Sequence, residues 1–194
     1  MPRTRTFTRD AAIEAATEAF WENGYEGTPV AELERRTGLN RSSLYLAFGS
    51  KNALFVEALD RYTADVLDPL ISPLEADPGI AGIQAFLLRI RSLLLGEIED
   101  RRSGCLMINT IAERSTTDEV VSRQAISFRD RLASAFTSAL EHDLDDRDEA
   151  TIAQRTAMLL AGVAGIWTWA RIDLGDAAEM CTSIAAHVAS WLPA

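Results

Sequence analysis

Apolar positions along this chain recur every three to four residues and almost never alternate strictly, which predicts helices throughout and no sheet. Ile13, Ala16 and Phe20 form the first stripe, on a helix from about Arg9 to Asn23 that Gly24 ends. Val30 and Leu33 mark a second, short helix. Thr28 is expected to cap it, with Pro29 at the first helical position, where a missing N–H costs nothing. Gly38 should end that helix in a left-handed conformation, and Leu39 should turn the chain inward. Asn40 then caps a third helix of about two turns. On it Leu44 and Phe48 point one way, while Ser42, Tyr45 and Leu46 point the other, flanked by Arg41 and Ser43. Ser50 caps a fourth helix that starts at Lys51, carries Leu54, Ala58 and Tyr62 on one face, and should reach about Leu67.

Pro69, Pro73 and Pro78-Gly79 predict a linker after that point. A long helix follows from about Ile80 to Glu99, with Ile83, Leu87, Ile90 and Leu94 in register. Arg101 to Gly104 reads as a turn, Cys105 to Arg114 as a short helix, and Thr117 or Asp118 as the start of another. Val121, Ala125, Phe128, Leu132 and Phe136 lie on one face of the latter, and His142 to Asp146 is a polar break. Two final helices run from about Arg147 to Asp173 and from Asp176 to Trp191. Together they carry more apolar surface than one small domain can hide, which predicts a homodimer through the last two helices. The expected fold class is all-α with about nine helices. A three-helix helix-turn-helix domain would occupy residues 1–65, and a larger helical ligand-binding and dimerisation domain residues 66–194.

Charge at first argues against a nucleic-acid partner, since the 194 residues carry a formal net charge of −10. Its distribution changes the picture. Residues 1–62 are close to neutral, with eight basic and nine acidic side chains, and the acidity belongs to the remainder. Phosphate binding depends on local placement of charge, so an acidic second part does not exclude DNA. Lys51 is the only lysine, and it stands at a helix start, where an ammonium and helix N–H groups can meet one phosphate. Arg3 and Arg5 lie on an N-terminal arm that is either a plain tail or a minor-groove contact.

Other chemistries find little support. Cys105 and Cys181 have no metal-ligand spacing, and His142 and His187 stand alone. No Gly-rich phosphate loop and no Ser/His/Asp grouping is present, so neither an enzyme nor a cofactor or metal is expected. No apolar run of about 18 residues suggests a membrane span, and MPRTRTFTRD lacks a signal-peptide core, so a cytoplasmic protein is expected.

The run TPVAELERRTGLNRSSLYLAFGSKNALF resembles the DNA-binding signature of the TetR family of bacterial transcriptional regulators. Thr28, the Gly38-Leu39 turn, Leu44-Tyr45, Phe48 and Ser50-Lys51 carry the resemblance, in register from roughly Thr8 to Tyr62. It implies a ligand-responsive repressor that binds a palindromic double-stranded DNA operator as a dimer. A helical protein-interaction module without DNA binding is the alternative. The implied DNA contacts are Thr28, Pro29, Asn40, Arg41, Ser42, Ser43, Tyr45, Leu46 and Lys51, on a motif spanning Pro29 to Phe48. Tyr45 and Lys51 match phosphate contacts of the family, and Leu46 could meet a thymine methyl. Ala47 stands where family members often place histidine. The segment Ser-Gly-Cys-Leu-Met is similar to one whose cysteine senses electrophiles or oxidants in some TetR-type regulators. Cys105 at a helix N-terminus, close to Arg101 and Arg102, should favour thiolate, although a small buried apolar role is the alternative. A small effector, apolar or electrophilic, would lie among Phe86, Met107, Phe128, Met158 and Trp167, residues that could equally be core.

Overall fold

The computed structural model describes residues 8–96, 104–143 and 148–192. Helix α1 (Arg9–Asn23) is capped by Thr8, whose hydroxyl accepts from the Ala11 amide, and ends at Gly24 with φ +74°. Then follow α2 (Val30–Thr37), α3 (Arg41–Phe48) and α4 (Lys51–Tyr62). Their inward residues make one small core. Ala16 and Phe20 of α1, Leu33 of α2, Leu44 and Phe48 of α3, and Leu54, Phe55 and Ala58 of α4 are all buried. Aromatic edges fix the packing of α1 on α4. Phe20 meets Phe55 at 4.9 Å and Trp21 meets Tyr62 at 4.8 Å, both T-shaped, the arrangement that ring quadrupoles favour.

The expected linker is absent. A π turn (Thr63–Leu67) follows α4 directly and leads into α5 (Asp68–Ala76), so the helical rod runs unbroken from Lys51 to Ala76. The Asp68 amide reaches back five residues to the Thr63 carbonyl, which shifts the hydrogen-bond ladder by one. Pro69 then falls in the first turn of α5, where its missing donor matters least. Pro73 does lie inside the helix. Its cost of about 3 kcal/mol is outweighed by burying Leu67, Leu70, Ile71 and Leu74, each worth about 1.5–3 kcal/mol.

Five helices complete the body: α6 (Ile80–Leu95), α7 (Leu106–Arg114), α8 (Glu119–Asp143), α9 (Glu149–Trp169) and α10 (Leu174–Ala189). Counting the rod once, the described residues hold nine helical segments and no strand. α6 stops at Leu95, short of the expected Glu99, which lies outside the described residues. His142 and Asp143 belong to the end of α8 rather than to a break, because Asp143 accepts the Ile80 amide at 2.7 Å and so caps α6 from across the body. α9 ends at Trp169, before the expected Asp173, its expected start at Arg147 lies outside the described residues, and α10 is shifted toward the N-terminus without a change of length. Asp173 accepts from the Gly175 and Asp176 amides and starts α10 early. α10 lies along α6, where the Gln84 amide donates to the Ala185 carbonyl at 3.1 Å. Gly162 and Gly165 let α9 and α10 approach each other within the chain: a Cβ at Gly162 would come within 2.9 Å of Ile184 Cδ1. No helix among the described residues is long and apolar enough to cross a membrane.

Candidate nucleic-acid interface

The segment from Gly38 to Ser50 is built from turns that the sequence made legible. Gly38 adopts φ +72° and ψ +10°, ending α2, and its amide donates to the Glu34 carbonyl. Asn40 caps α3, accepting from the Ser43 amide at 2.9 Å, and Glu34 accepts the Arg41 amide at 2.5 Å. Ser50 caps α4 through the Ala53 amide. Between these caps, Leu44 and Phe48 are buried while Arg41, Ser42, Tyr45 and Leu46 are exposed. Leu46 is 90% exposed, an isolated apolar side chain on an otherwise polar face. The Arg41 guanidinium lies 5.7 Å from the centre of the Tyr45 ring, so cation and phenol form one outward pair. Ser43 and Ala47 are half-buried at the margins, and Asn40 and Pro29 are exposed.

Thr28 corrects the expected cap. Helix α2 begins at Val30, Pro29 is its N-cap without a side-chain bond, and Thr28 is fully buried. Its hydroxyl instead serves the Gly24 carbonyl at 2.6 Å and the Ala19 carbonyl at 3.1 Å, closing the α1–α2 turn. A threonine that points inward can serve the Gly24 carbonyl just past the end of α1, which an outward cap could not do, and it shares the Ala19 carbonyl with the Asn23 side chain. Its side chain is therefore not presented to solvent. Arg3 and Arg5 lie outside the described residues.

Lys51 is also engaged internally. Its ammonium donates to the Tyr25 carbonyl at 2.6 Å and sits 4.1 Å from the centre of the Tyr25 ring, and burial lowers its pKa. Two of its three protons remain for other acceptors. The α2 arginines are occupied as well. Arg35 and Arg36 bind Glu32, and Arg36 also reaches Glu22 on α1. Those hydrogen bonds hold the Glu32 carboxyl down at about 2.

A cluster at the other end of the α1–α2 turn was not legible from the one-dimensional pattern. Glu113, near the end of α7, accepts from two consecutive amides, Tyr25 at 2.9 Å and Glu26 at 2.8 Å. The neighbouring Arg114 guanidinium lies 4.1 Å from the centre of the Tyr25 ring and bonds Asn52 and Asp118. Nothing in the local pattern around Glu113 and Arg114 singles them out. The turn that Glu113 holds lies 88 residues away, where no local period could point to it.

Cys105 is the N-cap residue of α7 but is fully buried. Burial pushes its thiol up, against hydrogen bonds from Tyr62 and the α7 amides, so the expected thiolate is not favoured. Arg101 and Arg102 lie outside the described residues. The five candidate effector residues fall in different surroundings. Phe86 packs edge-on against Phe136 at 5.5 Å, and Met107 and Trp167 are buried. Phe128 lines a cavity of about 170 Å³ with Thr63, Leu67, Gln124, Ser127 and Arg131, beside the π turn. Met158 is half-exposed on the outer side of α9.

Comparison with known proteins agrees with this geometry. Residues 12–58 match the family described as bacterial regulatory proteins, tetR family. The HTH-type transcriptional repressor ComR of Escherichia coli (strain K12) is 45% identical over 60 residues, which is 31% of this chain and 29% of that protein. The uncharacterized HTH-type transcriptional regulator YezE of Bacillus subtilis (strain 168) is 30% identical over 144 residues, 72% of each chain. Among solved structures, a cysteine mutant of the TetR family transcriptional regulator CifR, complexed with 26bp double-strand operator DNA, superposes with a TM-score of 0.80. It is 24% identical, over 98% of this chain and 100% of that one.

Proposed function

This chain belongs to the TetR family of bacterial regulatory proteins, and from that premise we propose that it is a repressor whose dimer reads an inverted-repeat operator and is released by a small effector. DNA-binding transcriptional regulation, rather than catalysis, is the activity of the relatives and fold neighbours. The observation that carries the finer reading is the outward row of α3: Arg41, Ser42, Tyr45 and Leu46 exposed on a helix capped at both ends. A helix of this size, with a cation, hydroxyls and one apolar tip, suits a major groove. Arg41, Ser43 and Tyr45 would set register on phosphates, with Asn40 and Pro29 at the entry to the groove. Ser42 and Leu46 would meet base edges. Lys51 would reach a phosphate with the protons that Tyr25 leaves free.

Residues 1–65 form the reading domain in this proposal, and residues 66–194 the effector-binding and dimerisation domain. Support for a dimer through α9 and α10 comes from Met158, Trp169 and Ile172, large apolar side chains left exposed there. A shallow cavity of about 390 Å³ between Trp169, Met180 and Ile184 adds a concave seat on the same side. An apolar effector would enter beside Phe128, which lines the cavity of about 170 Å³ next to the π turn, while Phe86, Met107 and Trp167 are packed in the core. An electrophile would have to reach Cys105 by opening the contact that covers it. The protein works in the cytoplasm, where its DNA lies.

Gel shift with the DNA flanking the protein's own gene, at two salt concentrations, tests the reading. Binding to a short inverted repeat, with affinity that falls steeply as salt rises, is the expected result. Failure to bind, or loss of no affinity on Tyr45→Ala, would count against α3 as the reader.

A further inference from the structure

We propose that Glu113 and Arg114, at the C-terminal end of α7, are positioning residues for operator binding. They set the reading head at a fixed angle on the helical body by locking the α1–α2 turn. The inference rests on the proposal above that a dimer reads two half-sites.

The geometry is more than packing. One carboxylate accepts two successive backbone amides, Tyr25 and Glu26, which fixes the turn both along and across the chain. Hydrogen bonds to an ionised acceptor are the stronger kind. Gly24 makes the approach possible: it adopts φ +74°, and a Cβ there would lie 2.9 Å from Glu113 Oε2. Tyr25 is then held by its ring as well as its backbone, with Arg114 and Lys51 each 4.1 Å from the ring centre. Lys51 in turn bonds the Tyr25 carbonyl, which joins the turn to the first residue of α4. The opposite end of α7 is tied to the head too. Trp21 Nε1 donates to the Gly104 carbonyl at 2.7 Å, and Cys105 hydrogen-bonds Tyr62. Helix α7 is thus a strut attached to the head at both ends. None of these bonds involves the outward face of α3, and a carboxylate would repel a phosphate. Of the proposed DNA contacts only Lys51 shares this network, so Glu113 acts chiefly on the placing of the head.

Two heads on one duplex gain affinity only while their spacing matches that of the half-sites. Loosening the strut removes that gain, while each head's own affinity changes only by the small amount that passes through Lys51, which bonds the same turn. The test uses the full-length protein and the duplex it footprints in the DNA flanking its gene, beside the same duplex with one half scrambled. Wild type should prefer the intact duplex strongly. Glu113→Ala and Arg114→Met should each lower affinity for the intact duplex by about tenfold or more, and for the scrambled one by no more than about twofold. Glu113→Gln should fall between, because an amide can accept from one N–H while its own NH2 opposes the other. Amide exchange at Tyr25 and Glu26 should quicken in the Glu113 variants. An equal fall on both duplexes would mean a damaged head, and no fall on either would mean an idle clamp; both overturn the proposal. Wild type showing no preference would overturn the two-headed reading and the clamp with it. Should Glu113→Ala fail to fold, Arg114→Met and Glu113→Gln give the same ratio.

Discussion

Thr28→Val keeps the shape of a buried side chain and deletes a hydroxyl that serves two carbonyls. The Ala19 carbonyl keeps its bond from the Asn23 side chain, and leaving the Gly24 carbonyl unanswered should cost about 1–3 kcal/mol, read as a lower denaturant midpoint with an unchanged slope. Its place in the sequence, ahead of a proline and a helix, suggested a cap. Only the end of α1 explains why the hydroxyl turns back, and that end is a tertiary fact. Leu46, by contrast, was placed outward by its position on the helical wheel and is outward. Leu46→Ala should relax selection at one operator position, with little change in stability, as read by binding to a set of single-base variants. A flat profile in both proteins would remove Leu46 from the base contacts. Cys105 gives a further outcome. Because burial covers the thiol and raises its pKa, iodoacetamide should label it slowly in the native protein and quickly in denaturant.

At the scale of elements, α3 was legible almost completely, because caps and period coincide there. Gly38, Asn40 and Ser50 each impose a local geometry through their own atoms, and the side chains between them follow. The rod from Lys51 to Ala76 was not legible. Two prolines within five residues argue for a break on local grounds, and only the buried face of Leu67, Leu70, Ile71 and Leu74 reverses that. Such a face looks the same whether it covers a helix or a loop. Pro73→Ala restores one donor inside α5 and should stabilise the protein or leave it unchanged, as read by thermal melting. A marked loss would mean that the fixed φ of Pro73 is needed for the course of α5. Arg41→Ala on α3 should weaken binding across operator sequences and reduce the salt slope by about one, the signature of one lost phosphate contact. An unchanged slope would move Arg41 from the backbone to a base edge.

For the whole molecule, acid should be the weak side. Glu32 is held at about 2 by Arg35 and Arg36, and hydrogen bonds also lower Glu75, Asp118 and Asp143. A depressed carboxyl contributes stability that is present above its unfolded pKa and is lost as pH falls toward the folded one. The melting midpoint should therefore fall as pH drops from about 4.5 toward 2. Asp118→Asn should flatten part of that fall, and parallel curves would deny Asp118 a share. The exposed residues Met158 and Trp169, replaced by glutamate, should yield a monomer by light scattering that keeps its helical signal. The two-part layout was visible in the chain as a nearly neutral head and an acidic body, but how the parts meet was not. That meeting falls on α7, whose Glu113 bonds a turn 88 residues away along the chain, and on α8, whose Gln124 donates to Asp60 at 2.6 Å, and it limits how freely such proteins can exchange parts. A graft of the head alone, cut after Tyr62 and set on a foreign body, would carry along a Tyr25–Glu26 turn with two amides facing no acceptor. A chimaera that keeps its grip on DNA should be one whose new body brings an acidic residue to the place that Glu113 fills.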